Sequence, residues 1–147
     1  MASTYLSLHY HLVFSTHERK PMIDDALRGR LHEYLSGTVL GLGGHCRAVG
    51  GTADHVHLLV GLSATHTLSD FMRELKKASS KWIHGQAPSL HFSWQEGYAA
   101  FTVSASGVAE VQRYIANQEE HHRKRSFRDE LKMMLEKSGV VYDARYL

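Results

Sequence analysis

GTADHVHLLV, residues 51–60, decides how the chain folds. From His55 onward it has the apolar, β-branched content of a strand, and side chains of a strand alternate between its two faces. Val56, Leu58 and Val60 therefore share one face, while His55, His57 and Leu59 share the other. If the valine–leucine face packs on helices, two imidazoles emerge together on the opposite side. Upstream, HCRAVGG (45–51) is a second short apolar run, and the GTAD between the runs reads as the short loop of a β-hairpin. Asp54, beside the histidines, is placed to bind or to orient, although its parity turns it to the other face if the strand already begins there.

Working outward, YLSLHYHLVFS (5–15) has strand composition, with Leu6, Leu8 and Tyr10 alternating. Pro21 is a good helix opener, and Ile23, Ala26, Leu27, Leu31, Tyr34 and Leu35 predict a helix over 22–39 closed by GLGG. Leu68, Phe71, Met72, Leu75, Ala78 and Trp82 predict a second helix, capped by Thr67 or Ser69 and ended by Gly85 and Pro88. FSWQEGYAAFTVS (92–104) reads as an extended strand interrupted near Glu96–Gly97. Val108, Val111 and Ile115 then mark a helix, with Ser104 or Ser106 as cap, running to about His122. A last helix is expected near 127–138, carrying Phe127, Leu131, Met134 and Leu135. The tail VVYDARYL (140–147) is expected to add a short strand or to pack on a partner.

The order β-α-β-β-α-β-α-α begins with the split βαβ pattern. It predicts an α+β, ferredoxin-like fold: an antiparallel sheet with helices on one face, then two C-terminal helices. The chain of 147 residues, 43% hydrophobic and without repeats, is expected to form one domain over 1–147. Cys46 is the only cysteine, which excludes an internal disulfide and any cysteine-rich zinc motif. There is no leader-like segment and no apolar run of spanning length, so a soluble cytoplasmic protein is expected. A formal charge of +2 with twelve histidines is compatible with a nucleic-acid partner without requiring one.

Neutral imidazole is the commonest metal ligand, and two at neighbouring same-face positions can grip one divalent ion. Two such histidines can equally be polar residues on an exposed sheet, so a third ligand and a reactive group are needed. VQRYIANQEEHHRKRSF (111–127) offers both. Positions i and i+4 of a helix lie one above the other, which puts Tyr114 and Gln118 on one stripe, beside the apolar Val108, Val111 and Ile115. A phenol can attack a phosphodiester and conserve the bond as phosphotyrosine. With an ordinary pKa near 10 it needs help, such as a divalent ion polarising the phosphate. A helix tyrosine is more commonly a packing residue.

These residues resemble a known family. DHVHLLV is a histidine–hydrophobic–histidine (HUH) motif, and YIANQEEHH resembles the tyrosine helix of single-tyrosine HUH transposases. This family comprises small insertion-sequence transposases acting on single-stranded DNA and the tyrosine transposases associated with repetitive extragenic palindromes. HYHLVFST, AVGGTADHVHLLV, KKASSKWI, FSWQEGYAAFTVS and YDARYL carry the resemblance across nearly the whole chain. It implies that Tyr114 attacks a DNA phosphate, becoming 5′-phosphotyrosine and releasing a 3′-OH, and that His55, His57 and Gln118 bind Mg²⁺ or Mn²⁺. It also implies a homodimer that recognises DNA hairpins and cuts at a distance from them. The motif positions are all filled.

Two basic clusters are candidate phosphate contacts. FMRELKKASSKWI (71–83) supplies Arg73, Lys76, Lys77 and Lys81; HHRKRSFR (121–128) supplies Arg123, Lys124, Arg125 and Arg128. Lys76, Lys77 and Arg123 are the favoured ones. Trp82 and Trp94 are read as core rather than as base-stacking platforms, and His9 and His11 as structural or close to DNA. The reading is a metal-dependent single-strand DNA transposase. The alternative is a domesticated hairpin-binding protein with little or no cleavage. A hydrolase built on the histidine pair alone is disfavoured, because no HxHxDH pattern follows.

Overall fold

The computed structural model describes residues 3–147. Four strands, β1 (His9–Ser15), β2 (His45–Gly51), β3 (His55–Gly61) and β4 (Ala99–Val103), form one antiparallel sheet in the order β2-β3-β1-β4. Helices α1 (Asp25–Gly41) and α2 (Leu68–Gln86) connect them in the ferredoxin-like manner. Three C-terminal helices follow: α3 (Val108–Ala116), α4 (Gln118–Lys124) and α5 (Phe127–Lys137). Among the described residues no helix is long and apolar enough to cross a membrane.

The alternation expected for residues 55–60 decides the layering. Val56, Leu58 and Val60 pair in register with Phe14, Leu12 and Tyr10 of β1, and this face meets Leu27, Leu31, Leu35 and Val39 of α1 and Phe71, Met72, Leu75 and Ile83 of α2. These positions recur at three- and four-residue spacing, the stripe a helix needs to lie on a sheet. Asp24 caps α1 through its side chain, which accepts from the Leu27 amide at 2.8 Å, so the helix begins at Asp25 and not just after Pro21. Trp94 and Trp82 are packing residues, as read from sequence. Trp94 stands edge-on to Phe14 and donates to the Ser79 hydroxyl at 3.0 Å, and Trp82 stacks on Tyr34.

Several boundaries differ from the sequence reading. β1 starts at His9, four residues later than expected, because Tyr5 and Leu6 are exposed and find no partner strand. Of the 92–104 segment only Ala99–Val103 joins the sheet; Trp94 makes a single bridge to Thr16, and Gly97 turns the chain with φ +80°. The helix expected to reach His122 breaks at Asn117, where φ −103° and ψ 24° leave the helical well and start α4. The tail adds no strand: Ala144–Tyr146 is a single 3₁₀ turn. Ser104 and Ser106 bond each other and cap nothing.

Candidate active site

The histidine face of the sheet is covered by the C-terminal helices, so His55 and His57 do not emerge into solvent; both are fully buried. What lets a helix approach is Gly50. It lies directly across from His57 on β2, and a Cβ there would stand 2.2 Å from the Ile115 carbonyl oxygen. The C-terminal end of α3 therefore sits on bare backbone, with Ile115 1% exposed. Gly50→Ala is expected to push α3 off the sheet and lower stability by about 1–3 kcal/mol, the range for overpacking a tight site. A urea midpoint unchanged from the parent protein would contradict that docking.

Each histidine has one ring nitrogen already engaged. His55 Nδ1 lies 2.8 Å from Asp54 Oδ1 and 3.1 Å from the Thr52 hydroxyl. Asp54 precedes the strand, so the parity that would have turned it to the other face does not apply, and it orients the ring. Burial opposes its charge, but the bonds from His55 and Thr52 prevail and hold its carboxyl below the ordinary value. A carboxylate on Nδ1 fixes that proton and leaves Nε2 able to serve as a ligand. The His55 ring is sandwiched between His122, at 4.5 Å, and Phe127, at 4.2 Å. His57 Nδ1 is engaged by His11 Nε2 at 2.8 Å. Both Nε2 atoms then face one small space, where Gln118 Oε1 lies 2.9 Å from His55 Nε2.

Tyr114 and Gln118 reach this space from α3 and the start of α4. Although the helix breaks between them, the Asn117 amide still donates to the Tyr114 carbonyl at 3.3 Å, and the two side chains stay on one side. The phenol ring stacks on His121 with centroids 4.5 Å apart and approaches His11 and His57 edge-on. Sequence reading missed the residue that ties these groups together. Glu130 of α5, 2% exposed, accepts from the Tyr114 hydroxyl at 2.5 Å and from the Gln118 amide at 3.3 Å on Oε2; its Oε1 lies 2.9 Å from His57 Nε2. The signal was present: Phe127, Glu130 and Met134 share a helix face, so a carboxylate interrupts an apolar stripe.

His55, His57 and Glu130 each bring one ligand atom to within 4.8 Å of the others, all three side chains buried, which suits a single metal ion. The electrostatics fit. Burial keeps His57 neutral, lowering its pKa to about 4, and burial with the neighbouring His57 lowers His11 to about 3. Burial and Glu130 push the Tyr114 phenol well above its ordinary value. Glu130 is opposed by burial, but bonds from His57 and Tyr114 hold it down to about 2.

A pH dependence follows. Below about pH 6.5 the unfolded chain binds protons on His11 and His57 that the folded chain refuses, so stability falls as pH drops toward 4. Each histidine contributes up to about 1.4 kcal/mol per pH unit, so the pair contributes up to about 3 kcal/mol per unit. Urea midpoints of the metal-free protein at pH 7.5, 6.5, 5.5 and 4.5 are expected to decline steeply; a flat series would show that neither imidazole is held neutral.

The basic candidates divide by the sheet. Arg73, Lys76, Lys77 and Lys81 lie on α2, on the face opposite the histidines. Lys77 and Lys81 are exposed; Arg73 pairs with Asp70 at 2.9 Å. The Lys76 ammonium donates to the carbonyls of Gln95 and Gly97 and sits over Phe14 and Tyr98, and burial lowers its pKa to about 8. Arg123 and Arg125 lie on and just after α4; Arg123 lines a cavity with Arg28 and His32 and pairs with Glu120 at 2.9 Å, while Arg125 is the one whose charge reaches Tyr114, and it donates to the Met133 sulfur. His11 belongs to the site itself.

Comparison with known proteins agrees with this geometry. Residues 4–118 match the model of the IS200-like transposases. The chain is 27% identical over 117 residues to the ISDra2 transposase TnpA of Deinococcus radiodurans, covering 76% of this chain and 84% of that protein. A crystal structure described as a transposase from Deinococcus radiodurans R1 superposes with a TM-score of 0.66 at 30% identity, covering 80% of this chain and 96% of that one. A REP-associated tyrosine transposase bound to a REP hairpin shares the fold, with a TM-score of 0.60 at 14% identity over 83% of this chain and 74% of that one. By its family match over residues 4–118, the chain belongs to the IS200-like transposases.

Proposed function

We propose that this transposase nicks and rejoins single-stranded DNA at hairpin-marked ends through a phosphotyrosine intermediate, using a divalent ion held by His55, His57 and Gln118. The observation that carries the reading is convergence: one phenol, two oriented imidazoles and an amide oxygen, delivered by β3, α3 and α4, meet in one buried space. In the cleavage step the Tyr114 oxygen attacks the phosphorus, a new oxygen–phosphorus bond forms, and the bond to the 3′ oxygen breaks. The phenol proton leaves along its bond to Glu130, and the departing 3′ oxygen takes up a proton to become the 3′-OH. Attack of a 3′-OH on the phosphotyrosine reverses the sequence, so the bond energy is conserved and no nucleotide cofactor is needed.

His55, His57 and Gln118 would hold Mg²⁺ or Mn²⁺, and the donor set fits because both Nε2 atoms are left as the ligand nitrogens. The ion supplies Lewis-acid polarisation of the scissile phosphate. His11 and Asp54 keep the two rings in place, and His121 holds the plane of the phenol. Arg123 and Arg125, on the tyrosine side, are assigned to the strand being cut. Lys77 and Lys81, exposed across the sheet, with Arg73 and Lys76 beside them, are assigned to phosphates of the flanking hairpin. A homodimer acting on hairpin DNA is the proposed assembly, in keeping with the hairpin held by the REP-associated relative.

The deciding experiment is a labelled single strand carrying the palindrome next to the gene, incubated with protein and Mn²⁺ and run on a denaturing protein gel. Label at the mass of the protein is expected. Tight hairpin binding without an adduct under any divalent ion would replace the reading with a DNA-hairpin-binding protein that has given up cleavage.

A further inference from the structure

The carboxylate of Glu130 is buried to 2% exposure, yet among the described residues no lysine or arginine pairs with it; its only ionic partners are His55, at 3.8 Å, and His57, at 2.9 Å. A buried charge is normally matched by a countercharge or by a metal. Both imidazoles are better used as neutral ligands, and with them in that form the carboxylate faces four neutral groups: two rings, a phenol and an amide. No fixed positive charge among the described residues balances it. A divalent cation would.

The spacings agree. Two ligands bound at about 2.1 Å and at right angles to one another, as in an octahedral magnesium or manganese site, stand about 3 Å apart. His57 Nε2 to Glu130 Oε1 is 2.9 Å, and His55 Nε2 to Gln118 Oε1 is 2.9 Å. His55 Nε2 to Glu130 Oε1, at 3.8 Å, corresponds to an angle of about 130° at that bond length, so the carboxylate would close toward His55 when an ion binds. The chemistry also favours it. Two imidazoles and an amide make an uncharged set, and a carboxylate adds the charged oxygen donor that magnesium and manganese favour.

Resting on the metal reading above, we propose that Glu130 is a fourth protein ligand of the divalent ion through Oε1, and that its Oε2 holds the Tyr114 hydroxyl. One carboxylate then joins the ion to the nucleophile, and α5, which lies beyond the 4–118 stretch shared with the family, becomes part of the catalytic centre. Filling the metal site also fixes the phenol, because the two depend on opposite oxygens of one carboxylate.

The test is Mn²⁺ affinity in the absence of DNA, read by the electron-spin signal of free Mn²⁺. Glu130→Gln, which keeps shape and one oxygen but removes the charge, is expected to weaken binding at least 10-fold. Glu33→Gln, the same change at an exposed carboxylate of α1, is expected to bind within 2-fold of the parent. If Glu130→Gln binds Mn²⁺ as tightly as the parent while His55→Ala loses it, the Glu130 assignment is overturned and the histidine–glutamine site stands. If the parent itself binds no Mn²⁺, both fall. Should the amide variant not fold, the parent protein still decides: its Mg²⁺-minus-apo infrared difference spectrum is expected to show a shifted carboxylate stretch. A spectrum without one would overturn the proposal.

Discussion

Tyr114→Phe is expected to abolish the covalent protein–DNA adduct, lowering cleavage by at least about 1,000-fold, on the order of what loss of a nucleophile removes from an enzyme. The substitution deletes one oxygen and leaves the ring. Its stack on His121, at 4.5 Å, and its edge contacts to His11 and His57 persist, so α3 keeps its seat. The bond lost is the one donated to Glu130 at 2.5 Å. That loss costs about 1–3 kcal/mol at most, because the carboxylate keeps His57 and Gln118 as partners. Hairpin affinity, assigned above to surfaces away from the phenol, is expected to stay within about 3-fold, as phosphate contacts dominate such binding. Gel-shift and adduct assays on one preparation separate the two effects. An adduct that survives in Tyr114→Phe would move the nucleophile to another side chain.

The same residues show how much of the site could be read from sequence. Strand alternation placed Val56, Leu58 and Val60 inward and the histidines together, and the sheet obeys it, because a period of two admits only that division when one face is buried. The i, i+4 relation of Tyr114 to Gln118 survives a helix break it did not anticipate, since Asn117 departs from helical angles by too little to swing Gln118 away. Long-range pairing was not legible. His11 is on β1 and Glu130 on α5, 46 and 73 residues from His57, and no local pattern says which strand pairs with which or where a C-terminal helix lands. Nor was the loop legible whose backbone carbonyls, of Gln95 and Gly97, the Lys76 ammonium meets. Gly50 was read only as part of a strand; its function, a bare patch on which Ile115 rests, depends on a helix 65 residues further on.

His55→Ala is expected to remove metal binding and with it nearly all cleavage, by more than the roughly 10- to 100-fold that loss of a group merely supporting a ligand produces. The imidazole is fully buried, its Nδ1 held by Asp54, its Nε2 facing Gln118, and its faces covered by His122 and Phe127. Truncation therefore does two things at once. It deletes one of the proposed ligands, and it leaves Asp54 and Gln118 without their partner beside a new cavity. The second effect would lower stability by about 2–4 kcal/mol, from lost packing and unmet hydrogen bonds. A chelator separates the two, because it strips the ion and leaves the ring. Parent protein in excess EDTA is expected to fail in adduct formation while still binding hairpin DNA, and Mn²⁺ in excess of the chelator is expected to restore it. His55→Ala, shown to be folded by circular dichroism, is expected to fail whatever metal is added. If the parent still forms adduct in EDTA, Tyr114 acts without a metal, and the loss in His55→Ala would then measure only how that ring supports the helices carrying the phenol.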